Sequence, residues 1–296
     1  IIEKALPTET WSGTKIISGV NIIDHPIEIS PGTIIKLEEE ANIIFRNKVM
    51  INGTEKLPVI FKPLFKNSHW GTIALQGKKT SGSKFTNLAI SGGSGYESEN
   101  NKYSGMLSIH DTSNIWLENI TLENNNFYDD VLHFVYSTNI NIVNCSIRNA
   151  CADAIDIDIS TISISNCKID NSVNDGIDSM TSKVKINETL ITNSGDKAVS
   201  VGENSDVLII SSRLEGNNIG IQTKDNSNTK IVGSKLINNI IQSSAYQKNW
   251  QYSKGGNVQI LATEIYPIKN RVTNDKKSFT YFLDYNYNSK IIGEVK

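Results

Sequence analysis

The fold of this chain is decided by residues 153–180, which read DAIDIDISTISISNCKIDNSVNDGIDSM. The stretch contains one pattern twice, because DAID at its start returns as DGID 22 residues later. Each copy alternates isoleucine with polar residues, which is typical of a β-strand that buries one face. A strand this short cannot bury its face alone, so the pattern predicts a stacked repeat.

The same repeat continues on both sides of this stretch. Apolar residues that recur at 22 or 23 residues form two sets: Leu132, Ile155, Ile177, Val199 and Ile221, then Ile142, Ile164, Ile186, Ile209 and Ile231. A third set follows closely: Ile147, Ile169, Leu190, Leu214 and Leu236. Two or three short strands in each period, stacked about 4.8 Å apart, form a continuous core. We therefore predict an all-β chain that folds as a single-stranded right-handed parallel β-helix, a solenoid of coils of about 22 residues.

The repeat also predicts the organisation of the chain. We expect one β-helix domain over residues 1–296, with N-terminal coils and a projecting loop up to residue 95. Regular coils then follow over 96–244 and a less regular C-terminal cap over 245–296. The projecting loop is expected in the glycine- and serine-rich stretch SGGSGYESENNKYSG, and the cap where the 22-residue period fades.

Composition excludes several classes of protein. Hydrophobic residues make up 38% of the chain and charged residues 20%, as in a folded soluble protein. The net charge of -2 argues against a nucleic-acid partner, and no apolar run is long enough to span a membrane. Cys145 and Cys167 lie one period apart, so they are either a disulfide or two stacked free thiols.

Aspartates recur in register with the isoleucines. The repeat stacks Asp156 on Asp178 and Asp153 on Asp175, and strand alternation turns Asp156 away from the core that Ile155 enters. Carboxylates about 5 Å apart repel each other by about 3 kcal/mol at an effective dielectric constant near 20. Such a cluster requires a cation, shared protons or basic neighbours. We name these four residues the aspartate ladder.

Oxygen ligands without nitrogen or sulfur are those that a hard cation prefers, so we predict a Ca²⁺ site formed by Asp153, Asp156, Asp175 and Asp178. The alternative is that the ladder consists of solvated turn residues. The repeated asparagines at turns, such as Asn171 above Asn193, are interpreted as structural ladders.

Four residues are predicted to be catalytic: Lys197, His133, Asp156 and Asp178. Four more are predicted to contact substrate: Tyr128, Tyr136, Asp130 and Asp196. A lysine or histidine beside acidic residues can abstract a proton, whereas the simpler interpretation of Lys197 is a salt bridge to Asp175. The simpler interpretation of His133 is a surface histidine beside carboxylates.

The series YDDVLHF, ADAIDID, NDGIDSM and GDKAVSVG resembles the right-handed β-helix repeat proteins, some of which accompany spore-coat-H-like domains. These are related in architecture to pectate lyases, alginate lyases and epimerases, and polygalacturonase-like hydrolases. The resemblance covers residues 100–245 and implies a carbohydrate-active protein. The Gly-His-Gly and Arg-Ile-Lys motifs of polygalacturonases and the Asp-Pro-His motif of alginate epimerases do not occur in this sequence, and no arginine falls in the ladder.

The first hypothesis is a secreted or cell-surface protein that acts on or binds a polysaccharide. As a Ca²⁺-assisted uronate lyase, it would use Lys197 or His133 as the base. As a glycoside hydrolase, it would use two of the aspartates as acid and base. The alternative hypothesis is a non-catalytic surface or appendage β-helix that binds a glycan or a protein and uses the ion for rigidity.

Overall fold

The structure is a computed structural model that describes residues 6–66, 68–99, 101–127, 129–267, 272–283 and 290–292. The chain divides into two compact units, Ile1–Ile147 and Arg148–Lys296. The expected division into N-terminal coils, regular coils and a cap stays a prediction. Within the described ranges, no helix is long and apolar enough to cross a membrane.

The first unit consists of short strands and one 3-10 helix at Lys78–Thr80. Its strands are β1 (Glu9–Trp11), β2 (Thr14–Ile17), β3 (Val20–Ile23), β4 (Ile27–Ile29), β5 (Ile34–Leu37), β6 (Asn42–Phe45), β7 (Val49–Asn52), β8 (Val59–Pro63), β9 (Ile73–Gln76), β10 (Lys84–Ser91), β11 (Tyr96–Ser98), β12 (Asn101–Tyr103), β13 (Gly105–His110), β14 (Trp116–Glu123), β15 (Asp130–Val135) and β16 (Ile140–Val143). Strands β3, β6, β9, β13 and β15 pair in parallel as sheet 1B. The other solenoid strands of this unit pair in parallel as sheet 1A.

The glycine-rich stretch predicted to project as a loop forms an antiparallel hairpin of β11 and β12. The hairpin packs back onto the unit, because Tyr103 is 2% exposed and clusters with Ile44 and Ala74 of sheet 1B. Tyr96 packs against the same cluster. The insertion therefore covers part of the outward face of sheet 1B.

Strand β17 (Ser146–Ala150) contains the division between the units. The strands of the second unit are β18 (Ile155–Asp158), β19 (Thr161–Ser165), β20 (Lys168–Ser172), β21 (Ile177–Met180), β22 (Lys183–Asn187), β23 (Leu190–Thr192), β24 (Lys197–Gly202), β25 (Asp206–Ile210), β26 (Arg213–Glu215), β27 (Ile219–Lys224), β28 (Asn228–Val232), β29 (Lys235–Ile237), β30 (Ile241–Tyr246), β31 (Asn257–Leu261), β32 (Glu264–Tyr266), β33 (Val272–Asn274), β34 (Phe279–Leu283) and β35 (Lys290–Ile292). Strands β18, β21, β24, β27, β30 and β33 pair in parallel as sheet 2B. Sheet 2A contains the parallel series β19 to β34 and β20 to β32.

The core of the second unit consists of stacked aliphatic columns, as the repeat predicts. Register places Ile155 beside Ile177 and Val199 beside Ile221, and all four side chains are fully buried. One position of the third predicted set is wrong. Ile191, not Leu190, pairs with Ile169 and Leu214 and enters the core. The turn before β23 has one residue fewer than the next turn, which displaces the simple count. The all-β parallel β-helix prediction is confirmed.

Hydroxyl and amide side chains hold the turns between coils. In the second unit, Ser182 Oγ accepts from the backbone N–H of Ser160 at 2.9 Å, and Ser205 Oγ accepts from that of Ser182 at 3.0 Å. Asn171 Nδ2 donates to Asn149 Oδ1 at 2.8 Å, and both residues have positive φ, which asparagine tolerates. Such ladders satisfy buried polar groups that the turns would otherwise leave unpaired.

The solenoid continues further than the sequence period indicates. Strand β31 pairs in parallel with β28, although Asn228 and Asn257 lie 29 residues apart, because residues 247–256 form a longer connection. Strand β34 pairs in parallel with β31, and only β35 is antiparallel to its neighbour. The three cysteines, Cys145, Cys151 and Cys167, carry free thiols.

Candidate functional site

The outward face of sheet 2B carries a straight column of polar residues. The register sets Asp156 beside Asp178, Asp178 beside Ser200, and Ser200 beside Gln222. Alternation buries the flanking isoleucines and turns these side chains outward, as expected. Because neighbouring strands lie about 4.8 Å apart, the column offers one polar group per coil. We call this column and the outward side chains beside it the 2B strip.

Asp153 and Asp175 have a different environment from the outward pair. Asp153 Oδ1 accepts from the backbone N–H of Asp175 at 2.7 Å and from Asn174 Nδ2 at 2.6 Å. Asp175 Oδ1 in turn accepts from the backbone N–H of Lys197 at 2.9 Å. Both aspartates are buried, so each carboxylate links one coil to the next at the entrance to sheet 2B. Burial thus separates these two from Asp156 and Asp178.

Lys197 ends this series of buried acids with two ion pairs. Its Nζ lies 3.3 Å from Asp175 Oδ1 and also contacts Asp196 Oδ2. Although burial opposes the charge, the hydrogen bond to Asp196 and the charge of Asp175 raise the pKa of Lys197. The lysine is therefore an ammonium group at neutral pH, which suits charge neutralisation better than proton abstraction. The salt bridge to Asp175 that the sequence offered as the simpler interpretation is present.

Asp175 is the most perturbed acid of the second unit. Burial raises its pKa from 3.8 to about 7, against the opposing effect of Lys197, and the charges of Asp153 and Asp178 raise it further. Its side chain is 3% exposed. A carboxyl group that changes its protonation near neutrality can act in acid–base chemistry, but this one reaches the surface only through its neighbours.

Lys224 is a second lysine of sheet 2B, and the sequence gave no reason to single it out. It is 8% exposed, and its Nζ donates to Ser200 Oγ at 3.0 Å. Within the described ranges, no carboxylate oxygen lies within 4.0 Å of this Nζ. A Cβ built on Gly202 would lie 3.4 Å from Lys224 Cε, so the lysine lies directly against this glycine in the coil below. Lys224 is thus a nearly buried ammonium group with a hydroxyl partner and no counter-ion.

Among the predicted substrate contacts, Asp196 has a side chain that is 40% exposed and is paired with Lys197. Tyr136 is 61% exposed in the first unit, at a positive φ of 49°. Tyr128 lies outside the described residues. Burial separates Asp130 from these residues, since it is 1% exposed.

Asp130 and His133 belong to a buried cluster in the first unit. Ser104 Oγ donates to Asp130 Oδ2 at 2.6 Å and lies 2.8 Å from His133 Nδ1. Since the hydroxyl proton is directed to the carboxylate, Ser104 Oγ accepts from Nδ1–H, which assigns the tautomer of His133. Ser104 lies between the other two, unlike the nucleophile of a hydrolase triad, where histidine is central. Asp130 therefore orients His133 through Ser104, and its burial argues against direct contact with substrate.

His110 extends this cluster. Its Nε2 lies 3.3 Å from His133 Nδ1, and burial, with a smaller contribution from His133, lowers the pKa of His110 to about 3. His110 is therefore neutral at physiological pH, so the histidine pair does not carry two charges. The ring of Tyr103 lies 5.1 Å from that of His110, and burial raises the pKa of its hydroxyl.

The ladder fits a Ca²⁺ ion only in part. Within the described part of Arg148–Lys296, no three carboxylate, imidazole or thiol ligand atoms lie within 4.8 Å of one another. Asp153 and Asp175 already accept backbone N–H groups, whereas Asp156 and Asp178 are partly exposed and offer oxygen to a cation from outside. The predicted four-aspartate site therefore reduces to an outward pair of suitable chemistry.

Sequence reasoning missed Lys224 and the histidine partners Ser104 and His110. One signal for Lys224 was present: it follows Gln222 by two residues, so strand alternation turns it to the same face. The signal for Ser104 and His110 was absent, because the hairpin insertion breaks the 22-residue count before them.

Comparison with known proteins agrees with this architecture. A family model described as "Right handed beta helix region" matches residues 130–274. Among solved structures, pectate lyase Pel9A is 14% identical with a TM-score of 0.54, over 84% of this chain and 71% of that one. A double mutant of the periplasmic alginate epimerase AlgG is 13% identical with a TM-score of 0.54, over 86% and 78%. Among curated proteins, no sequence matches the chain. At these identities the likeness concerns the fold.

Proposed function

Since the chain is a right-handed parallel β-helix protein, we propose that it is a carbohydrate-active protein that binds an acidic polysaccharide along the 2B strip. The proposal includes a location outside the cell or at its surface, where such polymers occur. A straight column of polar groups, one per coil, suits a linear polymer that lies across successive strands.

Lys224 is the observation that carries the proposal. A nearly buried ammonium group without a counter-ion loses solvation that Ser200 Oγ alone does not replace. The cost of such a charge is several kcal/mol. An anionic ligand at Ser200 would supply the missing charge and convert this cost into affinity and specificity. A uronate carboxylate has the required charge and size.

The neighbours of Lys224 support an acidic polymer. Tyr246 pairs with Lys224 on the next strand and presents a partly buried phenol, a surface suited to a sugar ring. Lys197 supplies a second ammonium group two coils away, on β24 of the same sheet. The two structural relatives are named for pectate and alginate, which agrees with an acidic substrate for this fold.

The finer proposal is β-elimination on a uronate polymer. In that reaction a base removes the proton α to the carboxylate, and the glycosidic oxygen leaves from the β-carbon with its bonding electrons. An ammonium group against the carboxylate acidifies that proton, which is the role that Lys197 or Lys224 suits. Asp156 and Asp178 are the exposed carboxylates of the strip, and His133 is the oriented imidazole of the first unit.

A Ca²⁺ ion is part of this finer proposal. Asp156 and Asp178 would hold it on the strip, where it would neutralise a substrate carboxylate. Melting with Ca²⁺ and with chelator tests this, using Asp156→Asn/Asp178→Asn as the ion-site variant. A stabilisation by Ca²⁺ that the double variant lacks supports the ion. Equal melting of the wild type in both buffers refutes it.

The binding experiment compares the wild type with Lys224→Met by isothermal titration with oligogalacturonate and oligomannuronate. We expect affinity to fall about thirtyfold, since removing one partner of a buried charge pair costs 2 kcal/mol or more. Met fills the same space without a charge, so the variant should melt at or above the wild-type temperature. Lys185→Met, which removes an exposed lysine of sheet 2A, is the control.

Unchanged affinity in Lys224→Met, or no binding of either oligomer by the wild type, refutes the proposal. Ultraviolet absorbance of unsaturated uronate and a reducing-end assay then separate the activities. Absorbance identifies a lyase, and new reducing ends without absorbance identify a hydrolase. Binding without either product identifies the non-catalytic glycan-binding alternative.

A further inference from the structure

A second feature of the second unit lies on sheet 2A, away from the 2B strip. The register of β25, β28, β31 and β34 stacks Asp206, Asn228, Asn257 and Phe279 in one column. Two residues further along the same strands, the next column consists of Leu208, Lys230, Gln259 and Tyr281. Polar side chains thus lead along the face to two aromatic rings on β34.

The rings of Phe279 and Tyr281 form a platform. Their centroids are 6.0 Å apart and their planes are inclined by 26°, so they present one nearly continuous surface. Phe279 is 45% exposed. A phenylalanine gains little from the hydrophobic effect while it faces water, so a ligand that covers this surface would recover that free energy.

The amide groups beside the platform form a hydrogen-bonded series with an open end. Asn228 Nδ2 donates to Asp206 Oδ1 at 2.9 Å, and Asn257 Nδ2 donates to Asn228 Oδ1 at 3.2 Å. Among the described residues, no donor reaches Asn257 Oδ1. The series therefore ends, next to Phe279, on an acceptor that lacks a donor.

The long connection between β30 and β31 forms a wall beside these columns. Residues 247–256 join these two strands, whereas residues 225–227 suffice between β27 and β28. Lys254 N–H donates to Asn226 Oδ1 at 2.9 Å, and Gly256 N–H donates to Ser278 Oγ at 3.0 Å. A Cβ on Gly256 would lie 2.0 Å from Thr223 O, so only glycine allows this approach. The wall is held in place before any ligand arrives.

Platform, amides and wall enclose a groove of about 530 Å³. Its lining includes Asn226, Asn228, Lys254, Asn257, Phe279 and Tyr281. A sugar ring has an apolar face that stacks on aromatic rings and an edge of hydroxyls that both donate and accept. The lining matches both, with aromatic rings on one side and amide donors and acceptors on the other.

We propose that this groove on sheet 2A is a second carbohydrate-binding site, in which one sugar ring stacks on Phe279 and Tyr281 and its hydroxyls bond to Asn228 and Asn257. The site goes beyond the function proposed for the 2B strip and does not depend on it. The groove combines amides with one ammonium group and holds no unpaired carboxylate among its lining residues, so it suits neutral as well as acidic sugars.

The test is isothermal titration of the full chain with cellohexaose, xylohexaose and hexagalacturonate. We expect the wild type to bind at least one of them at this groove. Phe279→Ala/Tyr281→Ala should weaken that binding about tenfold, because it removes most of the apolar contact surface. Trp250→Ala is the control, since Trp250 is an aromatic residue that is 85% exposed and lies outside the lining.

Asn228→Ala is the second variant and decides the question if the aromatic variant fails to fold. It removes the middle of the amide series at an exposed position and should also weaken binding. The proposal is overturned if none of the three hexasaccharides binds, or if the folded variants bind as the wild type does. Lys224→Met separates the sites, because it should abolish only the binding that belongs to the 2B strip.

Discussion

Asp175→Asn tests whether a buried carboxyl of the aspartate ladder is protonated near neutral pH. Burial raises the pKa of Asp175 on folding, so the folded state retains this proton over a pH range in which the unfolded chain has released it. The stability from this group is fully present below pH 4 and is lost as pH rises through about 7. Asparagine keeps the oxygen that accepts from Lys197 N–H and has no proton to lose.

A pKa that rises from 3.8 to about 7 corresponds to about 4 kcal/mol of unfolding free energy, at 1.36 kcal/mol for each pH unit. The variant should therefore gain stability relative to the wild type by up to this amount between pH 4 and pH 8. Lys197 does not become isolated, because Asp196 still pairs with it. The gain should be steepest between pH 5 and pH 7.

The assay is urea unfolding of both proteins at half-unit steps from pH 4.5 to pH 8, analysed as the difference in unfolding free energy. The difference cancels other titrating groups, including His110, whose lowered pKa opposes the effect of Asp175 below pH 6.5. Glu188→Gln, at an exposed turn position, is the control and should show little pH dependence of this difference. A difference for Asp175→Asn that stays constant within about 0.5 kcal/mol refutes the reasoning.

Three further changes test the fold and the histidine cluster. His110→Phe should remove a loss of stability of about 1.4 kcal/mol per pH unit as pH falls from 6.5 towards 3; equal acid sensitivity of both proteins in urea unfolding contradicts this. Ile186→Ala deletes a fully buried side chain of a stacked column and should cost about 2–5 kcal/mol in urea unfolding, whereas a loss below 1 kcal/mol would contradict the column packing. Gly195→Ala would place Cβ 2.1 Å from Val173 O, so the melting temperature should fall; melting as in the wild type would mean that the turn adapts freely.

The fold could be read from local sequence because a β-helix repeats one short interaction many times. Alternation at Ile155 and Ile157 identifies a buried face, and the return of the pattern at Ile177 identifies the neighbouring strand. Small errors arose only where a turn changes length. Leu190 was assigned to a column that Ile191 occupies, and the longer connection before Asn257 concealed two further coils.

The sequence by itself determined the right-handed parallel β-helix, the stacking of Asp156 on Asp178, and the contact of Lys197 with Asp175, because all three follow from a fixed period. Only the tertiary structure decided which of these groups are buried. Depth depends on the turns that flank each strand, so Asp153 and Asp175 are buried while Asp156 and Asp178 face outward. It also decided that Lys224 has no counter-ion, since the absence of a partner is a property of three-dimensional surroundings and not of spacing.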